Sequence, residues 1–151
     1  MMNASIEQLS HIVQTYSLLL FELDEHDAMY KSSPEKWSKK ELIGHLFDSA
    51  QNNIRRFVVA QYEERPYIIY DQDTWVQAAG YQHHPLPELI KLWELLNKHM
   101  IRVLENIPAS MHEREVFTGS IHSIQWLASD YNKHLLHHLH QVLELEPVAY
   151  P

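Results

Sequence analysis

SIQWLASDYNKHLLHHLHQVLEL occupies residues 123 to 145 and places an apolar side chain at every third or fourth position. Ile124, Leu127, Tyr131, Leu135, Val142 and Leu145 fall on one stripe, which predicts an amphipathic α-helix. Ser120 or Ser123 can cap its start, and it can run to about Glu144, ahead of Pro147. Four of the chain's twelve histidines fall within seven residues of this helix, at 134, 137, 138 and 140.

Three more helices follow from the same periodicity. Ile6, Leu9, Val13, Tyr16, Leu20 and Leu23 form the first stripe. The second helix opens at Ser38, where Ser38 and Glu41 make a capping box, and can extend to about Glu64, before Pro66. The third carries Leu89, Leu92, Trp93, Leu96, Met100, Val103 and Leu104 and ends at Pro108. Residues 66–87, PYIIYDQDTWVQAAGYQHHPLP, read as a long connection with one helical turn around Thr74 to Ala79. ASMHEREVFTGS, residues 109–120, is a second connection. Four long amphipathic helices with only three glycines in 151 residues predict an all-α, single-domain four-helix bundle spanning 1–151.

Twenty acidic against twelve basic residues give a formal charge of −8, which disfavours nucleic acid as a partner. The absence of cysteine excludes disulfides, thiolate metal sites and cysteine nucleophiles. No stretch has the apolar length to cross a bilayer, and the N-terminus lacks a leader pattern. The expectation is a cytoplasmic protein without a membrane partner.

The fourth helix divides its histidines. His138 lies three after Leu135 and four before Val142, inside the apolar stripe, and His134 lies four before His138. Both imidazoles therefore point inward. His137 and His140 fall beside Asp130, Lys133 and Glu144 and read as surface residues. The inner pair is either two core histidines satisfied by hydrogen bonds or half of a metal site. Burying two imidazoles carries a desolvation cost that a shared ion would offset. A third ligand is best supplied by His45 of the second helix, at the edge of its buried stripe. Gly44 beside it gives up roughly 1 kcal/mol of helix stability and lets something approach closely. Asp48, three residues on, reads as a solvated residue, a partner to a ligand, or a base.

WSKKELIGHLFDSAQNNIRRF, YDQDTWV and GSIHSIQWLASDYNKHLLHHLHQV, in that order, resemble the DinB-like superfamily and within it the YfiT-like metal-dependent hydrolases. The resemblance runs from about Trp37 to Val142. It rests on a single early histidine, His45, followed by H-x-x-H-H-x-x-Q at His134, His137, His138 and Gln141. It implies an up-down-down-up bundle with a long crossover and a divalent ion, nickel or zinc, held by His45, His134 and His138. It also implies a homodimer and a small-molecule substrate. The implied reaction is hydrolysis through metal-activated water, or transfer of a low-molecular-weight thiol to an electrophile. A third reading is a metal-binding protein without catalysis.

In the long connection, Tyr70, Asp71, Asp73 and Trp75 either line the mouth of the pocket or pack as an ordinary loop. Arg55 and Arg56 read as a solvated face, with an anionic substrate as the alternative. Trp37, Trp93 and Trp126 read as core or interface aromatics. His83, His84, His99, His112 and His122 have no partner at useful spacing. No phosphate loop, nucleophile elbow or dinucleotide fingerprint is present.

Overall fold

The computed structural model describes the whole chain, Met1–Pro151. Four long helices dominate it: α1 (Met2–Phe21), α3 (Lys39–Val59), α5 (Leu86–Glu105) and α6 (Ile124–Val142). Two short helices sit in the connections, α2 (Glu25–Met29) and α4 (Gln72–Ala79). A hairpin of strands β1 (Glu115–Phe117) and β2 (Ile121–Ser123) leads into α6. No helix is long and apolar enough to cross a membrane.

The bundle is a closed ring of contacts. α1 packs on α5 and α6, and α3 packs on the same two. α6 runs parallel to α1: Asn132 Nδ2 donates to the Ser5 carbonyl (2.8 Å), and further along the Tyr16 hydroxyl meets His140 Nε2 (2.6 Å). α5 begins beside the start of α3, where Lys40 Nζ donates to the Gln82 carbonyl (3.3 Å). Up-down-down-up order follows, and the chain between α3 and α5 must cross the length of the bundle. On the way α4 is capped by Asp71, whose Oδ1 accepts from the Thr74 N–H (3.0 Å), and is ended by left-handed Gly80 (φ 62°). The single expected turn is thus a complete eight-residue helix.

Leu9, Ile43, Phe57, Leu89, Trp93 and Met100 are fully buried at the centre. Two residues placed on apolar stripes lie outside it. Leu92 is 43% exposed on the outer face of α5, and Leu145 is 42% exposed because α6 ends before it. α3 stops at Val59 rather than at about Glu64. Beyond it, Arg114 from the loop before β1 donates to the carbonyls of Ala60 (2.9 Å) and Glu63 (2.8 Å). Of the two candidate caps for α6, Ser123 takes the role, accepting from the Trp126 N–H at 3.2 Å.

The capping box of α3 forms as its sequence dictates. Ser38 Oγ accepts from the Glu41 N–H (3.1 Å), and Glu41 Oε2 accepts from the Ser38 N–H (2.8 Å). Ser38 is buried, and its hydroxyl also donates to Gln82 Oε1 (2.8 Å), tying the start of α3 to the end of the crossover. Ser38→Ala is expected to cost about 1–2 kcal/mol, read as a lower midpoint in urea.

Candidate metal centre

α3 enters the site through His45 and α6 through His134 and His138, one helical turn apart. The three imidazoles form one cluster, with a ligand nitrogen from each lying within 4.8 Å of the others. His45 Nε2 and His134 Nε2 stand 3.2 Å apart. Two nitrogens bound to one tetrahedral ion at the usual ~2.0–2.1 Å are about 3.3 Å apart, so this pair already has the spacing of a shared ion. His45 is 1% exposed, and its Nδ1 is buried with no hydrogen-bond partner.

Electrostatics prepare the same three nitrogens. Burial, with the nearby His138 charge second, lowers His45 to about 4. Burial and the neighbouring histidines lower His134 to about 3, and burial lowers His138 as well. The cluster is therefore neutral at neutral pH, which is the form that ligates metal. Gln141 Oε1 lies 2.7 Å from His138 Nδ1. The amide oxygen can only accept, so Nδ1 carries the hydrogen and the His138 Nε2 lone pair is left free for an ion. Trp37, read as a core or interface aromatic, is half-buried and packs its ring on His45 (centroids 4.9 Å). The donor set, its spacing and its protonation all fit a divalent ion.

A cavity of about 550 Å³ opens on the outer side of the cluster, with His134 and His138 in its wall. α3 contributes Ser49, Asn53 and Arg56, which follow His45 at four, eight and eleven residues and so share its face. α6 contributes Trp126 and Asp130 below the histidines, and Tyr70 of the crossover closes one side. The C-terminal tail closes another: Tyr150 donates to Asp130 Oδ2 (2.8 Å) and sets its ring 5.3 Å from that of His134. His137 and His140 are half-buried rather than on the open surface. Their Nδ1 atoms meet the tail carbonyls of Val148 (2.6 Å) and Glu146 (2.7 Å).

Other expected positions fall elsewhere. Asp73 is exposed on the first turn of α4, and Asp71 is spent as the cap of that helix. Trp75 lines a separate hollow with Phe47, Asp48 and Tyr81. Asp48 is buried on the far side of α3 from the cavity, and its Oδ1 accepts from the Tyr81 hydroxyl. It touches neither the cavity nor His45 Nδ1 in this geometry. Arg55 is exposed, whereas Arg56 is half-buried in the cavity wall. His122 stacks on Trp126 (3.6 Å between centroids), a pairing that linear spacing does not reveal.

Burial raises the Asp48 carboxyl to about 6, against 3.8 normally, with the Tyr81 hydrogen bond working the other way. The folded chain thus holds this proton between about pH 4 and 6, where the unfolded chain has released it. The ionised carboxylate weakens the fold above pH 6, and that cost fades as pH falls toward 4. Asp48→Asn keeps an acceptor for Tyr81 and is expected to unfold at higher urea than the parent at pH 8, by about 2 kcal/mol. The gap should close by pH 4. A variant weaker than the parent at pH 8 would contradict this.

The model of the DinB superfamily matches residues 6–142. The chain belongs to the DinB superfamily. Curated relatives named "Putative metal-dependent hydrolase" include one from Halalkalibacterium halodurans, 26% identical over 137 residues, covering 89% of this chain and 80% of the relative. One from Oceanobacillus iheyensis is 31% identical over 126 residues, covering 81% and 71%. A third, from Bacillus pumilus, is 28% identical over 155 residues, covering 95% and 84%. Among solved structures, YfiT from Bacillus subtilis, described as a probable metal-dependent hydrolase with an unusual four-helix bundle topology, superposes with a TM-score of 0.84. It is 18% identical, with 95% of this chain and 84% of YfiT covered, and supports the fold of this DinB-superfamily chain.

Proposed function

We propose that His45, His134 and His138 hold one divalent ion, nickel or zinc, and that the protein is a hydrolase of a small molecule bound in the adjoining cavity. The observation that carries this reading is the three-imidazole cluster, two of whose rings, His134 and His138, stand in the wall of a cavity of about 550 Å³. That volume suits a small organic ligand rather than a polymer. A three-histidine ion with an open position would lower the pKa of water and polarise a carbonyl.

The chain's own residues do the rest. His134 and His138 form the face that a ligand reaches, and buried His45 anchors the cluster from behind. Gln141 fixes the ring of His138, and Trp37 limits the motion of His45. Tyr150 and Tyr70 stand in the cavity wall and narrow its mouth. Asp48 acts as a positioning residue: its bond to Tyr81 holds the crossover against α3 beside His45.

The test is turnover of an ester and amide panel by untagged protein, with and without chelator, beside His138→Ala. Hydrolysis that needs the metal and disappears in the variant is expected. Turnover only when a low-molecular-weight thiol and an electrophile are supplied would replace hydrolysis with thiol transfer. No metal-dependent turnover of either kind would leave metal binding without catalysis.

A further inference from the structure

We propose that Arg56 is the residue by which the cavity recognises its ligand, and that this ligand carries an anionic group, a carboxylate or a phosphate, at the end remote from the histidines. This rests on the reading of the cavity as a substrate site. Arg56 lies eleven residues after His45 on the same face of α3, about 16 Å along the axis. A helical side chain leans toward the N-terminus of its helix, so the guanidinium reaches back toward the cluster.

Its contacts hold the fork without neutralising it. Nε and Nη2 donate to the Ile68 carbonyl (3.2 and 3.0 Å), Nη1 donates to Asn53 Oδ1 (3.3 Å), and the group sits 5.6 Å from the centre of the Tyr70 ring. All these partners are uncharged. Arg56 belongs to none of the protein's ion pairs. A guanidinium has five N–H donors, and two remain unspent here. A half-buried cation with free donors and no directly paired counter-ion is stabilised by an anion that enters beside it.

Arg114 also grips only carbonyls, but it closes the end of α3 and does not line this cavity. The position of Arg56 in the cavity wall makes the difference. Asp130 is the one acid in that wall. Its charge acts on Arg56 across the cavity but makes no direct ion pair with it, and one of its oxygens is committed to Tyr150. Its charge raises the cost of an anion placed beside it, so the anionic group belongs at the Arg56 fork. The formal charge of −8 repels anions elsewhere on the surface, so retention requires a local cation.

The experiment is calorimetric titration of succinate and, separately, inorganic phosphate into untagged protein as purified, for the parent, Arg56→Lys and Arg56→Gln. Metal content and melting temperature are measured on the same samples. Saturable binding of at least one anion to the parent is expected, weakened about tenfold or more by glutamine and less by lysine, at unchanged metal content. Binding of succinate alone assigns a carboxylate, and binding of phosphate alone assigns a phosphate. Equal affinity in parent and glutamine variant would overturn the proposal, as would a parent that binds neither anion. If the glutamine variant fails to fold, the folded lysine variant decides: weaker binding than the parent supports Arg56, and parental affinity overturns it. Metal-loaded protein blind to both anions contradicts this proposal alone. Metal-free protein that binds an anion through Arg56 contradicts the metal reading alone.

Discussion

Alanine at position 44 should destabilise the protein by about 3 kcal/mol, although it adds helix propensity. An added Cβ would lie 2.1 Å from Cδ2 of the Tyr81 ring and 2.3 Å from its Cγ. Tyr81 is 3% exposed and cannot swing out without emptying its place against α3. If it moves, its hydroxyl leaves Asp48, whose other oxygen already has no partner. Overpacking of this kind costs typically ~1–3 kcal/mol, and a stranded buried carboxylate adds to it. Helix propensity returns only about 1 kcal/mol. A fall in melting temperature of roughly 6–12 °C is expected by calorimetry for a chain of this size. A Gly44→Ala protein that melts with the parent would show that the crossover does not press on α3 as described.

Removing one imidazole of the cluster should have the largest functional effect. Structural four-ligand zinc sites bind with ~10–16 kcal/mol, or roughly 2.5–4 kcal/mol per ligand, so His138→Ala should weaken zinc by about 10²–10³-fold. Competition against a chromophoric chelator reads this directly. His137→Ala, one residue away, should leave the affinity within a few-fold, because His137 turns to the Val148 carbonyl and offers no nitrogen to the cluster. The contrast between neighbours guards against a general loss of folding. Equal effects from both substitutions would contradict the assignment of ligands.

Periodicity made the bundle legible because each long helix buries one continuous stripe, and His134 and His138 fall inside one of those stripes. The same rule, carried further along α3, reaches Arg56: Ser49, Asn53 and Arg56 continue the face of His45. The charge pair RR reads as solvated only if that face is ignored. The hairpin was not legible, since strands of three residues are too short to show alternation, and the turn rests on Gly119 (φ 108°). The tail was hidden for another reason. Glu144 takes a left-handed conformation (φ 54°), and the Leu145 N–H donates to the His140 carbonyl (2.9 Å), a reversal that usually uses glycine. No glycine marks it, so α6 reads as running to Glu144 and the closure of the cavity by Tyr150 goes unseen.

The proposed centre is one ion on three histidines. Elemental analysis of untagged protein, purified without chelator, tests it most directly, because an affinity tag of histidines would bind the ions being counted. Close to one nickel or zinc per chain is expected. Parent protein that is metal-free as purified, and that takes up neither zinc nor nickel when offered both, would contradict it and leave His45, His134 and His138 as neutral core residues.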